Sequence, residues 1–206
     1  MTTNKWKQAI TGIVNVQSMI EKANAAFERM SVVNKRLTIC QDALEQIKIK
    51  QYRPITGIYV DSNLQGLDEE ETQLQLISNS VTCNCCALGS LLLSGTRCKN
   101  SVDGNSIEDA DNAFIKDYLD DIFDRDNLML VEVAFERDTY FDENNDIDEP
   151  YECDFDTKAE YKDAAKEYNS LPAVKAVAFG ERYKDDTKRL VAILENMIKN
   201  KGVFKP

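Results

Sequence analysis

Histidine is absent from all 206 residues of this chain. That gap removes Ser-His-Asp and Cys-His catalysis, imidazole proton shuttling and every zinc site that needs a histidine ligand. Any catalysis would have to rest on carboxylates, Lys, Tyr, Cys or a carboxylate-held metal. Glycine and proline are few, at eight and four residues, which argues for a packed globular domain rather than a linker. No apolar run approaches the roughly 18 to 20 residues that cross a membrane. The opening Met1-Thr2-Thr3-Asn4-Lys5-Trp6-Lys7 lacks the continuous apolar stretch of a secretory signal. The expected location is therefore a cytoplasm, with no membrane partner. The six cysteines, at 40, 83, 85, 86, 98 and 153, are sparse for a disulfide scaffold, and Cys85 adjoins Cys86. Reduced thiols are expected.

What is present in excess is acid, unevenly placed. Net charge is −11. Asp103 to Asp163 holds 22 acidic and five basic residues, net −17, while the remainder holds 14 acidic and 20 basic, net +6. The densest part runs from Asp138 to Pro150. Asp142, Asn144 and Asp146 match the first three ligand positions of an EF-hand, but Ile147 stands where glycine must turn the loop and Cys153 where a bidentate Glu belongs. The reading is a solvated acidic loop over about 138–156, which repels nucleic acid and would suit a basic partner. Phe141, Tyr151 and Phe155 interleave with the acids as anchors for a partner or for the loop itself.

Apolar spacing predicts a mainly α protein. Residues 1–30 form a helical arm whose stripe, including Trp6, Ile10, Ile13 and Ile20, needs a surface to bury against; this leaves a homo-oligomer open. Residues 31–206 form one compact helical domain. Its first helix spans 32–50 on Leu37, Cys40, Leu44 and Ile47, and ends before Arg53-Pro54. Thr56 to Val60 reads as a short extended or hairpin element. Leu67 to Gln75 reads as loop or short helix. Ala87 to about residue 94 is apolar on every face and should be the buried central helix. Ser106 is expected to cap a helix running through Ile122, and Asp126 the next one. Helices then follow over Thr157–Tyr168, Pro172–Phe179 and Asp186–Asn200, the last closing on Lys199, Lys201 and Gly202.

The run Thr82-Cys83-Asn84-Cys85-Cys86-Ala87-Leu88-Gly89-Ser90 is the one locally unusual stretch. Three readings compete. Cys83 and Cys86 have the spacing of half a zinc knuckle, with Cys98 as a third thiolate, but no second pair and no histidine complete it. A redox Cys-x-x-Cys before a helix is the second, without the alternating strands and helices of a thioredoxin. The third, which the composition favours, is that the thiols are small buried hydrophobes that let helices approach closely. No metal or other cofactor is expected.

That run, with Lys35 to Leu44, Phe179-Gly180, Arg189-Leu190 and the ending Asn200-Lys201-Gly202-Val203-Phe204-Lys205-Pro206, resembles a family of uncharacterised proteins from tailed bacteriophages. The family's segment is Cys-Asn-x-Cys-Ala-Leu-Gly, matched at Cys83 and Cys86. The resemblance covers roughly 35–206; the first 30 residues and the acidic loop depart from it. It implies a setting rather than a reaction: a phage-encoded accessory protein in the cytoplasm of an infected bacterium. The expected function is non-catalytic, sequestering or blocking a host component as an anti-defence protein, with a host protein or a small nucleotide-like anion as partner. Arg36, Arg53, Tyr59, Arg97, Arg182, Arg189 and Lys205 lie outside the acidic third and are the candidate ligand contacts. The alternatives are an acidic nucleic-acid mimic that inhibits a host DNA- or RNA-binding protein, and a carboxylate-dependent metal hydrolase.

Overall fold

A computed structural model describes residues 3–99, 101–139 and 149–206, with side chains described from residue 16 onward. The EF-hand test positions Asp142 to Ile147, the anchor Phe141, and the side chains of Trp6, Ile10 and Ile13 lie outside the described residues. Among the described residues the chain is mainly helical. The helices are α1 (Thr3–Glu28), α2 (Val32–Lys48), α3 (Glu69–Ile77), α4 (Ala87–Cys98), α5 (Gly104–Glu108), α6 (Asn112–Leu119), α7 (Arg125–Glu136), α8 (Lys158–Tyr168), α9 (Pro172–Glu181) and α10 (Asp186–Lys199).

Short polar side chains start most of these helices. Asp68, Asp103, Asp111, Asp124 and Asp185 each accept the backbone N–H three residues on, at the starts of α3, α5, α6, α7 and α10. Ser31 and Thr157 do the same for α2 and α8, and Asp68–Glu71 and Thr157–Glu160 are reciprocal capping boxes. Each cap satisfies a donor the helix cannot, for about 1 kcal/mol. Two expected caps are corrected. Ser106 lies inside α5, and the single helix expected from there to Ile122 is two helices, because Asp111 restarts the chain. Asp126 lies in the first turn of α7, whose cap is Asp124.

The expected buried central helix is α4, buried from Ala87 to Thr96. It packs against α2, α3, α6 and α7, while α9 lies on α7 and α10 bridges α2 and α7. Leu88, Leu91, Leu92 and Leu93 are fully buried at its centre, with Ile39, Leu119, Val131, Phe135 and Leu194 from the surrounding helices in the same core.

Of the stretch expected to be extended, Thr56 to Val60, only Val60 lies in a strand; the strands flank a turn. Strands β1 (Tyr52–Pro54), β2 (Val60–Asp61) and β3 (Cys83–Cys85) form one sheet in the order β1-β3-β2. β1 runs parallel to β3 with Arg53 opposite Asn84, and β2 runs antiparallel to it with Val60 opposite Cys85. Residues 55–59 turn between β1 and β2, through Gly57 at φ 78°. The cysteine run is thus the central strand followed by the first turn of α4.

That strand-to-helix step allows a very close approach. A Cβ on Gly89 would lie 1.7 Å from the Tyr59 carbonyl oxygen, and one on Gly180 would lie 1.9 Å from that of Ala134. Both contacts are with backbone, which cannot swing aside as a side chain can. Gly89→Ala should therefore lose about 3 kcal/mol through overpacking, read as a lower urea midpoint. An unchanged midpoint would mean that α4 does not lie this close to the sheet.

Candidate functional site

A groove of about 480 Å³ between the end of α2, β1 and α10 carries concentrated positive charge. Its volume is within the usual range for small-molecule sites, about 300 to 1,000 Å³. Lys48, Lys50 and Arg53 line it beside Ile47, Pro54 and Val191.

The local fold explains the placement. α2 ends in a Schellman turn: Lys50 N–H donates to the Ile47 carbonyl and Gln51 N–H to that of Gln46. This turn puts Lys50 at φ 64°, where glycine is the usual residue. Lysine in that geometry costs roughly 1 kcal/mol. β1 then begins at once, buries Tyr52 and exposes Arg53. Three cations therefore fall within six residues. Among the described residues, the side chains of Lys48, Lys50 and Arg53 form no hydrogen bond or ion pair. Their charge is unspent in a protein of net charge −11.

The facing wall is the first two turns of α10, with Thr187 and Val191. It is fixed by Arg189. This guanidinium is fully buried and donates to the carbonyls of Phe135, Gly180 and Tyr183 and to Asp186 Oδ1. Asp186 Oδ2 accepts the Thr56 N–H at 3.3 Å, joining α10 to the turn that follows β1.

On the other side of that turn lies a cavity of about 80 Å³ lined by Gly57, Ile58, Tyr59, Cys86, Glu132 and Glu136. It has room for a few waters. Tyr59 donates to Glu132 Oε1 at 2.6 Å, Asn112 donates to Glu132 Oε2 at 2.6 Å, and Lys116 Nζ lies 3.9 Å from that oxygen. Glu136 accepts the Gly57 N–H. Burial, reinforced by the charges of Glu132 and Asp186, holds the Glu136 carboxyl above its ordinary 4.5, against the opposing pull of Gly57 N–H and Arg189.

The seven residues expected to contact a ligand do not converge. Only Arg53 lies in the groove. Arg36 donates to the Ile122 carbonyl and lines a separate cavity with Asp124, Asn127 and Gly202. Tyr59 belongs to the small cavity. Arg97 is spent on Asp42, the Leu76 carbonyl and Asn79. Arg182 lies 4.9 Å from the Phe179 ring centroid. Arg189 is buried and satisfied, so it supports the fold and cannot reach a ligand. The Lys205 backbone is clipped to Asn196. Lys48 and Lys50, which are not among the seven, join Arg53 in the groove; their mark in the sequence is three cations within Lys48-Ile49-Lys50-Gln51-Tyr52-Arg53 at a helix end.

Part of the acidic third is spent internally. Asp103, Asp111 and Asp124 are caps. Glu108 accepts the N–H groups of Ser62 and Leu64, and Glu132 and Glu136 bind the β1–β2 turn. Cys83 and Cys85 are fully buried, and Cys86 nearly so. The Cys86 thiol caps α4, its Sγ accepting the Gly89 N–H at 3.4 Å. A helix start favours thiolate, yet burial wins and pushes this thiol up to about 12. Burial likewise pushes Cys40, Cys83 and Cys98 up to about 12. Among the described residues no three Cys, Asp or Glu side chains converge as metal ligands, so Cys83, Cys86 and Cys98 do not form the conjectured set. Comparison with protein-family models, with curated proteins and with solved structures gives no match for the chain.

Two predictions follow from these environments. Native protein treated with a thiol-reactive dye should show one fast thiol, the exposed Cys153, and all six after denaturation; rapid labelling of Cys83 or Cys86 would contradict their burial. A carboxyl raised in the folded state contributes stability below its unfolded value and loses it as pH rises through the folded one. Glu136→Gln, which keeps an oxygen for Gly57, should therefore gain stability relative to the parent between pH 4 and pH 8. A difference that shrinks over that range would refute the assigned shift.

Proposed function

We propose that this chain is a phage-encoded, non-catalytic accessory protein that sequesters a small anionic host component in the α2–β1–α10 groove, as an anti-defence device. A nucleotide-derived immune signal is the ligand class. The observation that carries this reading is three unpaired cations lining one small-molecule-sized groove in an acidic protein. Phosphate oxygens pair with such groups through charge-assisted hydrogen bonds. The apolar floor of Ile47, Pro54 and Val191 supplies contact for the uncharged part of the ligand. The setting rests on the resemblance at the cysteine run and the C-terminus. Against the acidic-mimic alternative, Asp103, Asp111 and Asp124 cap helices and Glu108, Glu132 and Glu136 hold turns, which commits six of its carboxylates to contacts within the fold.

The test is calorimetric titration with linear and cyclic nucleotides, with mass analysis of the ligand recovered afterwards. Saturable binding and intact ligand are expected; products would indicate an enzyme, and no heat with any nucleotide would overturn the proposal. Arg53→Ala should weaken binding about tenfold, the loss of one charge-assisted contact. Lys50→Gly is the sharper variant. It relieves the left-handed lysine, so it should gain about 1 kcal/mol of stability while losing about tenfold in affinity. A Lys50→Gly protein that binds as well as the parent would remove Lys50 from the site, and misfolding would not explain that result.

A further inference from the structure

The groove's polar inventory is one-sided. Its side chains offer three cationic donors and a single hydroxyl, Thr187. Tyr52 is 2% exposed, and its phenol oxygen accepts from Ser94 at 3.5 Å, away from solvent. Pro54 has no N–H to offer from the strand edge. Among the described residues, no carboxylate or carboxamide side chain lines the groove. Reading a nucleobase edge takes matched donors and acceptors, as in the amide–adenine and carboxylate–cytosine pairs. A site that hydrogen-bonds its substrate rejects analogues by about 10⁴ or more, whereas an apolar pocket discriminates by about 10² at most.

We infer that the groove selects its ligand by phosphate charge and apolar body, and does not read the base: it takes nucleoside polyphosphates as a class. This rests on the anion-sequestering function proposed above and defines its specificity. Three cations favour a polyphosphate over a monophosphate. Ile47, Pro54 and Val191 favour a phosphate that carries an organic body over inorganic phosphate. A protein with this specificity would lower the pool of a chemical class, including whichever member serves as a signal.

The experiment is a competition series on the full chain at one fixed salt concentration. The four ribonucleoside triphosphates should bind within about tenfold of one another. Affinity should fall stepwise from ATP to ADP to AMP, and inorganic tripolyphosphate should bind more weakly than any of the four. A preference of more than a hundredfold for one base would overturn the inference while leaving the anion-binding function intact. AMP binding as tightly as ATP, or tripolyphosphate matching ATP, would overturn the charge or the apolar part respectively. Absence of binding by every nucleotide would overturn both readings together.

Discussion

The buried guanidinium of Arg189 is the interaction on which the geometry around the groove depends. A fully buried cation is tolerated only when its donors are satisfied, since desolvation alone costs several kcal/mol. Here the donors go to Phe135 at the end of α7, Gly180 near the end of α9, Tyr183 beyond it, and Asp186 at the start of α10. The Phe135 ring centroid lies 5.6 Å from the guanidinium carbon. Carbonyls near helix C-termini are the negative ends of their dipoles, so the charge sits where the backbone field favours it. One side chain thus ties three helices together. Asp186 extends the tie to Thr56, and through it to β1. The wall that carries Thr187 and Val191 is fixed against the strand that carries Arg53.

The charge distribution follows from the same economy. Five of the helix starts use aspartate, so part of the acid content serves helix capping and needs no basic partner to explain it. In the acidic third, carboxylates accept backbone N–H groups from Ser62, Leu64 and Gly57. In the remaining chain, Arg36, Arg97 and Arg189 are bonded within the fold. Among the cations without a hydrogen bond or ion pair in the described residues, Lys48, Lys50 and Arg53 line one groove, where a helix end meets an edge strand. A left-handed lysine is mild local strain that the fold maintains at the lip of a cavity, which motivates a functional reading of that position.

Much of the helical framework was legible in the chain. Thr157, Pro172 and the Lys199–Gly202 ending mark helix limits through caps and backbone preference, and the all-round apolar face of Ala87 to Leu93 announced a buried helix. The sheet was not legible. Its strands are two or three residues long, too short for an alternating pattern, and the central one reads Cys-Asn-Cys, without β-branched or aromatic residues. Ser106 and Asp126 were misread because several acids and hydroxyls near each start are all chemically competent caps. The groove was legible in one residue. Arg189 looked like Arg53 in sequence, and only carbonyls brought from distant helix ends distinguish a structural guanidinium from an available one.

The cysteine run that drew attention to metal or redox chemistry instead forms the middle of the sheet and the cap of the central helix, with neutral thiols. Function is therefore sought at the groove, and location is the most direct test. Backbone amide shifts followed by NMR while ATP is added should change most at residues 47–54 and at Thr187 to Val191. Changes centred instead on Arg36 and Gly202, on the small cavity around Glu132, or nowhere in the chain would contradict the account.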